Sequence, residues 1–256
     1  MPKPKFIELD EEQIPILFED RSVLAIDKPP GWMLVPFSWQ RTSRNLQAAL
    51  VSSIASGAFW ARSRNLKFIR FVHRLDAETS GILLLAKSPG ALETLGRLFE
   101  SRQMQKLYLA VVLGVPRQPQ WICRAKIGPD KIGRMRVDPR LGKEAETEFR
   151  LVHTQPHPEL GPISLIEARP VTGRTHQIRV HLKESGLPIA GDELYGKASS
   201  EKADGGGRAE PSAGLGEKFT LGLRAVELAY RDPFTKRPVR ISAPRDEFLK
   251  AYGFKS

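Results

Sequence analysis

The chain has 256 residues, 41% of them hydrophobic, and Lys plus Arg outnumber Asp plus Glu by 40 to 29, for a formal charge of +11. That length supports one large core, or one main domain with a small appendage. The positive balance favours a polyanionic partner, nucleic acid or an anionic membrane surface, over a neutral one. No apolar run approaches the ~20 residues of a membrane span. The opening stretch MPKPKFIELDEEQIP has no apolar segment behind its lysines and does not read as a signal peptide. A lone Cys123 excludes an internal disulfide, which fits a reducing cytoplasm.

Residues 1–15 are charged and proline-punctuated, and are expected to form a flexible segment ahead of a domain over 16–256. SVLAIDKPPGW (22–32) reads as a short strand entering a Pro-Pro-Gly turn. Thr42 or Ser43 is positioned to cap a helix that carries Leu46, Ala49, Leu50 and Ile54 on one face. A strand is expected near 68–72 and another over Ile82–Lys87; then Ser88 and Pro89 have the N-cap and first-position chemistry of a helix with a Leu92, Leu95, Leu98, Phe99 stripe.

KLYLAVVL (106–113) is a strand candidate, with Lys106, Tyr108, Ala110 and Val112 on one face. Residues 121–153 read as two or more strands around the basic, glycine-marked RAKIGPDKIGRMRVDPRLGK, and PISLIEARP as another strand. RTHQIRVHLKESG reads as a helix, with Ile178 and Leu182 one turn apart and Gly186 at the stop. Residues 198–217, mostly small or charged, have little to bury and read as a flexible insertion. Strands near 221–230 and 238–242 and a short C-terminal helix with Phe248, Leu249 and Tyr252 close the chain. Many strands with scattered helices argue for an α+β fold around a mixed, mainly antiparallel central sheet flanked by helices.

The chemistry concentrates in FVHRLDAETSGILLLAKS (71–88), where His73-Arg74-Leu75-Asp76 stands directly before an apolar run. The hydroxyls of Thr79 and Ser80 can bond the turn's backbone, and Gly81 permits an unusual backbone angle. By composition alone Arg74 and Asp76 read as a surface ion pair contributing ~0–1 kcal/mol.

The pattern H-R-L-D-x-x-T-S-G, an apolar run, then A-K resembles the catalytic motif of the RluA-type pseudouridine synthases, which modify ribosomal and transfer RNA. DKPPGWMLVP (27–36), KLYLAVVLG (106–114), GKEAETEFRLV (142–152), ARPVTGRTHQIRVHL (168–182) and PIAGDELYG (188–196) are similar to further blocks of that family, in family order. The resemblance implies the pseudouridine synthase catalytic fold with a basic cleft, and a reaction that detaches uracil from ribose, rotates it and rejoins it through carbon. No redox step occurs, so neither cofactor nor metal is implied. It implies that Asp76 is the essential carboxylate, acting as nucleophile or base, and that Arg179 in HQIRVH is its cationic partner. Burial favours the protonated form of a carboxylate, so a cation must oppose it; at ~4 Å and an effective dielectric near ~20 such a pair attracts by ~4 kcal/mol before desolvation.

Tyr108 matches the family's active-site tyrosine, whose ring can stack on the extracted base for ~1–3 kcal/mol. Without the resemblance it reads as a strand residue packing on the core. Arg74 would fill the space vacated by a flipped uridine, whose extraction costs a few kcal/mol of stacking; His73 is expected to support the turn. The resemblance places Arg74, His73, Thr79, Arg174, His176 and Lys106 among the RNA-binding residues.

The expected partner is ribosomal or transfer RNA, with no membrane, and the expected state is a cytoplasmic monomer. Arg62-Arg64-Lys67-Arg70 and Arg124 through Lys143 fit phosphate contacts. Metal binding is disfavoured: Pro156 and Pro158 break the helix that would align His153 with His157, and His176 and His181 are five apart. The competing reading is a non-catalytic RNA-binding or RNA-remodelling protein. Two departures from the family pattern stand out: residues 1–20 leave no room for the small N-terminal RNA-binding module many relatives carry, so RNA contacts are expected from the catalytic domain itself, and Arg224 in LGLRAVEL stands where relatives commonly place histidine.

Overall fold

A computed structural model of the chain describes residues 2–9, 11–34, 44–131, 134–196 and 219–255. The chain divides into two compact units. The first comprises residues 1–107 and 224–245, and the second residues 108–223 and 246–256. The expected insertion at 198–217, and the expected caps Thr42 and Ser43, lie outside the described residues.

In the first unit, β1 (Phe6–Leu9), β2 (Glu12–Glu19), β3 (Val23–Lys28), β5 (Ser80–Ala86) and β12 (Leu223–Arg231) are neighbours in that order. The short β4 (Arg70–Phe71) pairs with β5, and β13 (Pro238–Ser242) with β12. The β5–β12 pairing is parallel and the other pairings within the unit are antiparallel. The β5 run SGILLLA is buried from Gly81 onward, as expected of a strand with both faces covered. The described residues of this unit hold the helices α1 (Leu46–Ala55), α2 (Phe59–Arg62) and α3 (Pro89–Glu100). The α3 start is as the sequence indicates, with Ser88 Oγ accepting from the Ala91 N–H and Pro89 in the first turn. The α1 cap is Asn45, whose side chain accepts from the Ala48 N–H.

Phe6–Leu9, inside the segment expected to be flexible, form β1 instead. Ile7 and Leu9 are buried there, against α1 and α2, and the Ile16 N–H donates to the Lys5 carbonyl. The side chain of Arg64, grouped by sequence with the phosphate-facing cations, is buried. Its guanidinium pairs with Glu19 at 2.9 Å and donates to the Pro4 carbonyl at 2.7 Å, tying the N-terminal strand down. Burial raises the Glu19 pKa, but Lys87 and Arg64 outweigh it and the net displacement is downward.

In the second unit, β6 (Gln105–Leu113, entering this unit at Tyr108), β11 (Gly161–Pro170), β10 (Thr147–His157) and β7 (Gln120–Cys123) form an antiparallel array in that order. A separate two-stranded sheet, β8 (Ile127–Pro129) with β9 (Met135–Val137), holds the basic, glycine-marked segment. Among the described residues the unit also holds helices α4 (Gln177–Glu184) and α5 (Asp246–Ala251), and Gly186 ends α4 at φ 74°. Among the described residues no helix is long and apolar enough to cross a membrane.

Gly81 shows how tightly the first unit closes. It sits at φ 106°, a region L side chains rarely enter, and a Cβ there would run into the Ala225 backbone of β12. Gly81→Ala is therefore expected to lose about 2 kcal/mol or more of stability. Urea denaturation measures this, and an unchanged midpoint would contradict the packing of β5 on β12.

Candidate active site

The turn that carries Asp76 lies in the first unit between β4 and β5. It closes with the Thr79 N–H donating to the Asp76 carbonyl at 3.2 Å. Its other anchor is Lys28, at the end of β3. The Lys28 ammonium is fully buried and donates to the Ala77 carbonyl at 2.8 Å and to the Pro29 carbonyl at 2.9 Å. The Gly31 N–H reaches the same Ala77 carbonyl at 2.9 Å. Burial lowers the Lys28 pKa to about 8, while the Glu78 and Asp76 carboxylates act in the opposite direction and favour its charge. A lysine ammonium thus lies within electrostatic reach of Asp76.

His73 continues the β4–β5 ladder with its side chain. The Val72 N–H donates to the Leu84 carbonyl, and the Leu84 N–H then donates to His73 Nε2 at 3.1 Å, where the next backbone carbonyl would otherwise serve. The ring stacks on Phe99 of α3 at 4.7 Å. Desolvation, with the Lys106 ammonium nearby, lowers the His73 pKa to about 4, so the ring is neutral at pH 7 and Nε2 is an acceptor. Burial also lowers Lys106, to about 8. Arg74 is exposed and Thr79 is buried, with its hydroxyl unpartnered among the described residues.

The second unit carries Tyr108, Arg174, His176 and Arg179. Tyr108 is buried on β6, in register with Ala168 of β11. Arg179 lies on α4 with its side chain 2% exposed, and forms a fork with Asp192: Nε donates to Oδ2 and Nη2 to Oδ1, both at 2.8 Å. Asp192 Oδ1 also accepts from the Leu194 and Tyr195 N–H groups at 3.0 Å. The Arg179 guanidinium lies over the Tyr195 ring at 5.2 Å. Two planar contacts, one in its plane and one on its face, leave that guanidinium little rotational freedom.

Tyr195 also gathers its surroundings. Its hydroxyl is 2.8 Å from His176 Nδ1 and accepts from the Met135 N–H of β9 at 3.2 Å. His176, just before α4, holds a left-handed backbone at φ 54°, uncommon for a non-glycine residue. Gln177 organises the α4 entrance, accepting from the Arg174 N–H and the Thr172 hydroxyl and donating to the Glu146 carbonyl and Thr147. Arg174 Nε donates to the Glu144 carbonyl at 2.9 Å. His181, buried with a lowered pKa, uses both ring nitrogens, toward Thr147 and the Ala125 carbonyl. Of the basic segment, Arg124 and Lys126 pair with Glu146 and Glu144, while Arg134, Arg136 and Arg140 are exposed.

Lys28, Asp192 and Tyr195 are among the residues that sequence reasoning did not single out. Their only signal was membership of the DKPPGWMLVP and PIAGDELYG blocks; nothing in local periodicity marks a strand-end lysine or a loop aspartate as buried.

A sequence profile for the family described as RNA pseudouridylate synthase matches residues 22–184. The ribosomal large subunit pseudouridine synthase C of Vibrio vulnificus strain CMCP6 is 32% identical over 250 residues, spanning 97% of this chain and 71% of that protein. The chain belongs to the RNA pseudouridylate synthase family, in its RluA-type branch. The protein of the same name from Escherichia coli K12 is 34% identical over 246 residues, covering 92% of this chain and 67% of that one. Human RNA pseudouridylate synthase domain containing 1 superposes with a TM-score of 0.67 at 25% identity, over 90% of this chain and 83% of that one. The mixed, mainly antiparallel α+β architecture is the pseudouridine synthase fold, and the chain is an RNA pseudouridine synthase, an isomerase of uridine in RNA.

In this pseudouridine synthase the His73 bond sets an acid limit. The folded pKa near 4 lies below the unfolded value near 6.5, so between these values the unfolded state binds the proton first and stability falls as pH falls. A protonated Nε2 would face the Leu84 N–H as a second donor. On going from pH 7 to 4.5, wild type is expected to lose about 2 to 3 kcal/mol more than His73→Gln. Denaturant titrations at the two pH values measure the difference, and parallel losses would contradict a neutral, bond-accepting His73.

Proposed function

We propose that the chain isomerises uridines of ribosomal RNA to pseudouridine as a cytoplasmic monomer, with Asp76 as the essential carboxylate. The observation that carries this reading is the Asp76 turn itself. It bears the H-R-L-D-x-x-T-S-G motif and is held on a buried ammonium rather than left as a solvated loop. The names of the relatives, synthases of the large ribosomal subunit, support ribosomal over transfer RNA.

In this reading the target uridine is flipped out of its stack and Arg74, exposed two residues before Asp76, occupies or braces the vacated position. Asp76 acts as nucleophile or base at the flipped nucleotide; the bond from ribose to N1 breaks, uracil turns and reattaches through carbon 5, and the carbon 5 proton is lost while N1 takes one up. Tyr108 stacks on the base. Arg179 supplies positive charge, and its fork with Asp192 orients the guanidinium before substrate arrives, so little is reorganised during reaction. Lys106, Arg174 and His176 line the RNA path, while His73 and the buried Thr79 brace the turn rather than meet RNA, and the exposed arginines of the β8–β9 segment contact phosphates.

Purified protein with transcribed large-subunit ribosomal RNA tests this, with pseudouridine counted by mass spectrometry. Asp76→Asn is expected to lower turnover by roughly 10³-fold or more while RNA affinity stays within a few-fold, and Arg179→Lys, which cannot form the fork, by about 10²-fold. The same RNA affinity should weaken steeply with added salt. No pseudouridine from the wild-type protein, with undiminished RNA binding in both variants, would favour the non-catalytic RNA-binding reading instead.

A further inference from the structure

Arg224 lies on β12, 197 positions from the residue it pairs with, and its three donor nitrogens reach three different segments of the first unit. Nη2 donates to Asp27 Oδ2 of β3 at 2.6 Å, Nη1 to Ser80 Oγ at 3.3 Å, and Nε to the Pro244 carbonyl at 2.8 Å. Both members of the ion pair are mostly buried, with side chains 11% and 14% exposed. The second carboxylate oxygen of Asp27, Oδ1, is buried with no hydrogen-bond partner among the described residues. A carboxylate held half-satisfied is an expensive way to stabilise a fold, which points to placement rather than stability as its use.

What is placed is the exit of the Asp76 turn. Ser80 directly follows the turn, and in the parallel β5–β12 register it lies opposite Arg224. Asp27 and Lys28 are neighbours on β3, so their side chains leave opposite faces of the strand. Lys28 grips Ala77, next to Asp76, while Asp27 grips Arg224 and through it Ser80. The turn is thus held within and at its exit by adjacent residues of one strand, and the hold at the exit depends on the Arg224 guanidinium.

We propose that Arg224, with Asp27, is a positioning residue of the reaction: the Asp27–Arg224–Ser80 clasp sets where the Asp76 carboxylate stands when the nucleotide is presented. The proposal rests on Asp76 being the catalytic carboxylate. Arg224 does not touch substrate; it acts through the turn, so its loss lowers the rate of the bound complex and leaves RNA affinity alone.

The test is single-turnover pseudouridine formation at saturating RNA, with RNA affinity measured separately and folding checked by near-ultraviolet circular dichroism. Arg224→Gln is expected to slow the single-turnover step by about 10-fold or more with the RNA dissociation constant within two-fold. Arg224→Lys keeps the charge toward Asp27 and should recover part of the rate. Asp27→Asn should slow the step similarly, and the double variant Asp27→Asn with Arg224→Gln no further, as for groups acting as one unit. Ser80→Ala removes only the contact into the turn and keeps the assay decisive if Arg224→Gln does not fold; a slowing of about three-fold or more is expected of it. Wild-type single-turnover rates in Ser80→Ala or in folded Arg224→Gln, or an effect on affinity alone, would overturn the clasp. An active wild type, an inactive Asp76→Asn and unaffected Arg224 variants would sink the clasp alone, whereas an active Asp76→Asn would sink the reading of Asp76 beneath it.

Discussion

The Lys28 ammonium has no accessible surface, and the geometry of the Asp76 turn follows from the need to accommodate it. Stripping an ammonium of water costs several kcal/mol even after relaxation. Here the loss is offset by two backbone carbonyls and by the fields of Glu78 and Asp76. The dependence runs both ways. The turn presents Ala77's carbonyl inward because a cation lies beneath it, and the cation tolerates burial because the turn brings carboxylates near. A lysine at a strand end and a turn far along the chain therefore fix one another's position, and Gly81, packed on β12, removes the remaining slack.

The second unit solves a related problem with a different group. Arg179 is buried on α4 and is matched by a carboxylate that also accepts two backbone N–H groups. A guanidinium suits this task better than an ammonium, because its planar fork gives two parallel bonds and a flat face for the Tyr195 ring. The Tyr195 hydroxyl extends the same network to His176 and to Met135, between the exposed Arg134 and Arg136. In both units, charged groups are oriented by opposite charges and backbone dipoles within the protein. Groups ordered in this way need little rearrangement when a polyanionic substrate arrives, which is the physical content of preorganisation.

Much of the local structure was legible because local chemistry dictates it. The β5 run, the Ser88-Pro89 entry to α3 and the Gly186 exit from α4 are decided within a few residues. The misreadings share one cause. Phe6–Leu9 looked loose because its flanks are charged, yet Ile7 and Leu9 are buried against α1 and α2. Arg64 looked like part of a phosphate-facing run, yet Glu19 and the Pro4 carbonyl claim it. In each case a distant element settled whether a side chain faces water.

The sequence by itself determined the family, the order of its blocks and the α+β class, since these reside in contiguous motifs whose spacing is visible along the chain. Only the tertiary structure decided that Lys28 is buried beneath the Asp76 turn, that Asp192 holds the Arg179 fork, and that Arg224 closes on Asp27 across 197 positions. The reason is physical. Backbone conformation responds to near neighbours, but whether a charge loses its water, and which opposite charge replaces that water, is set by strands and helices that meet only after the chain has folded.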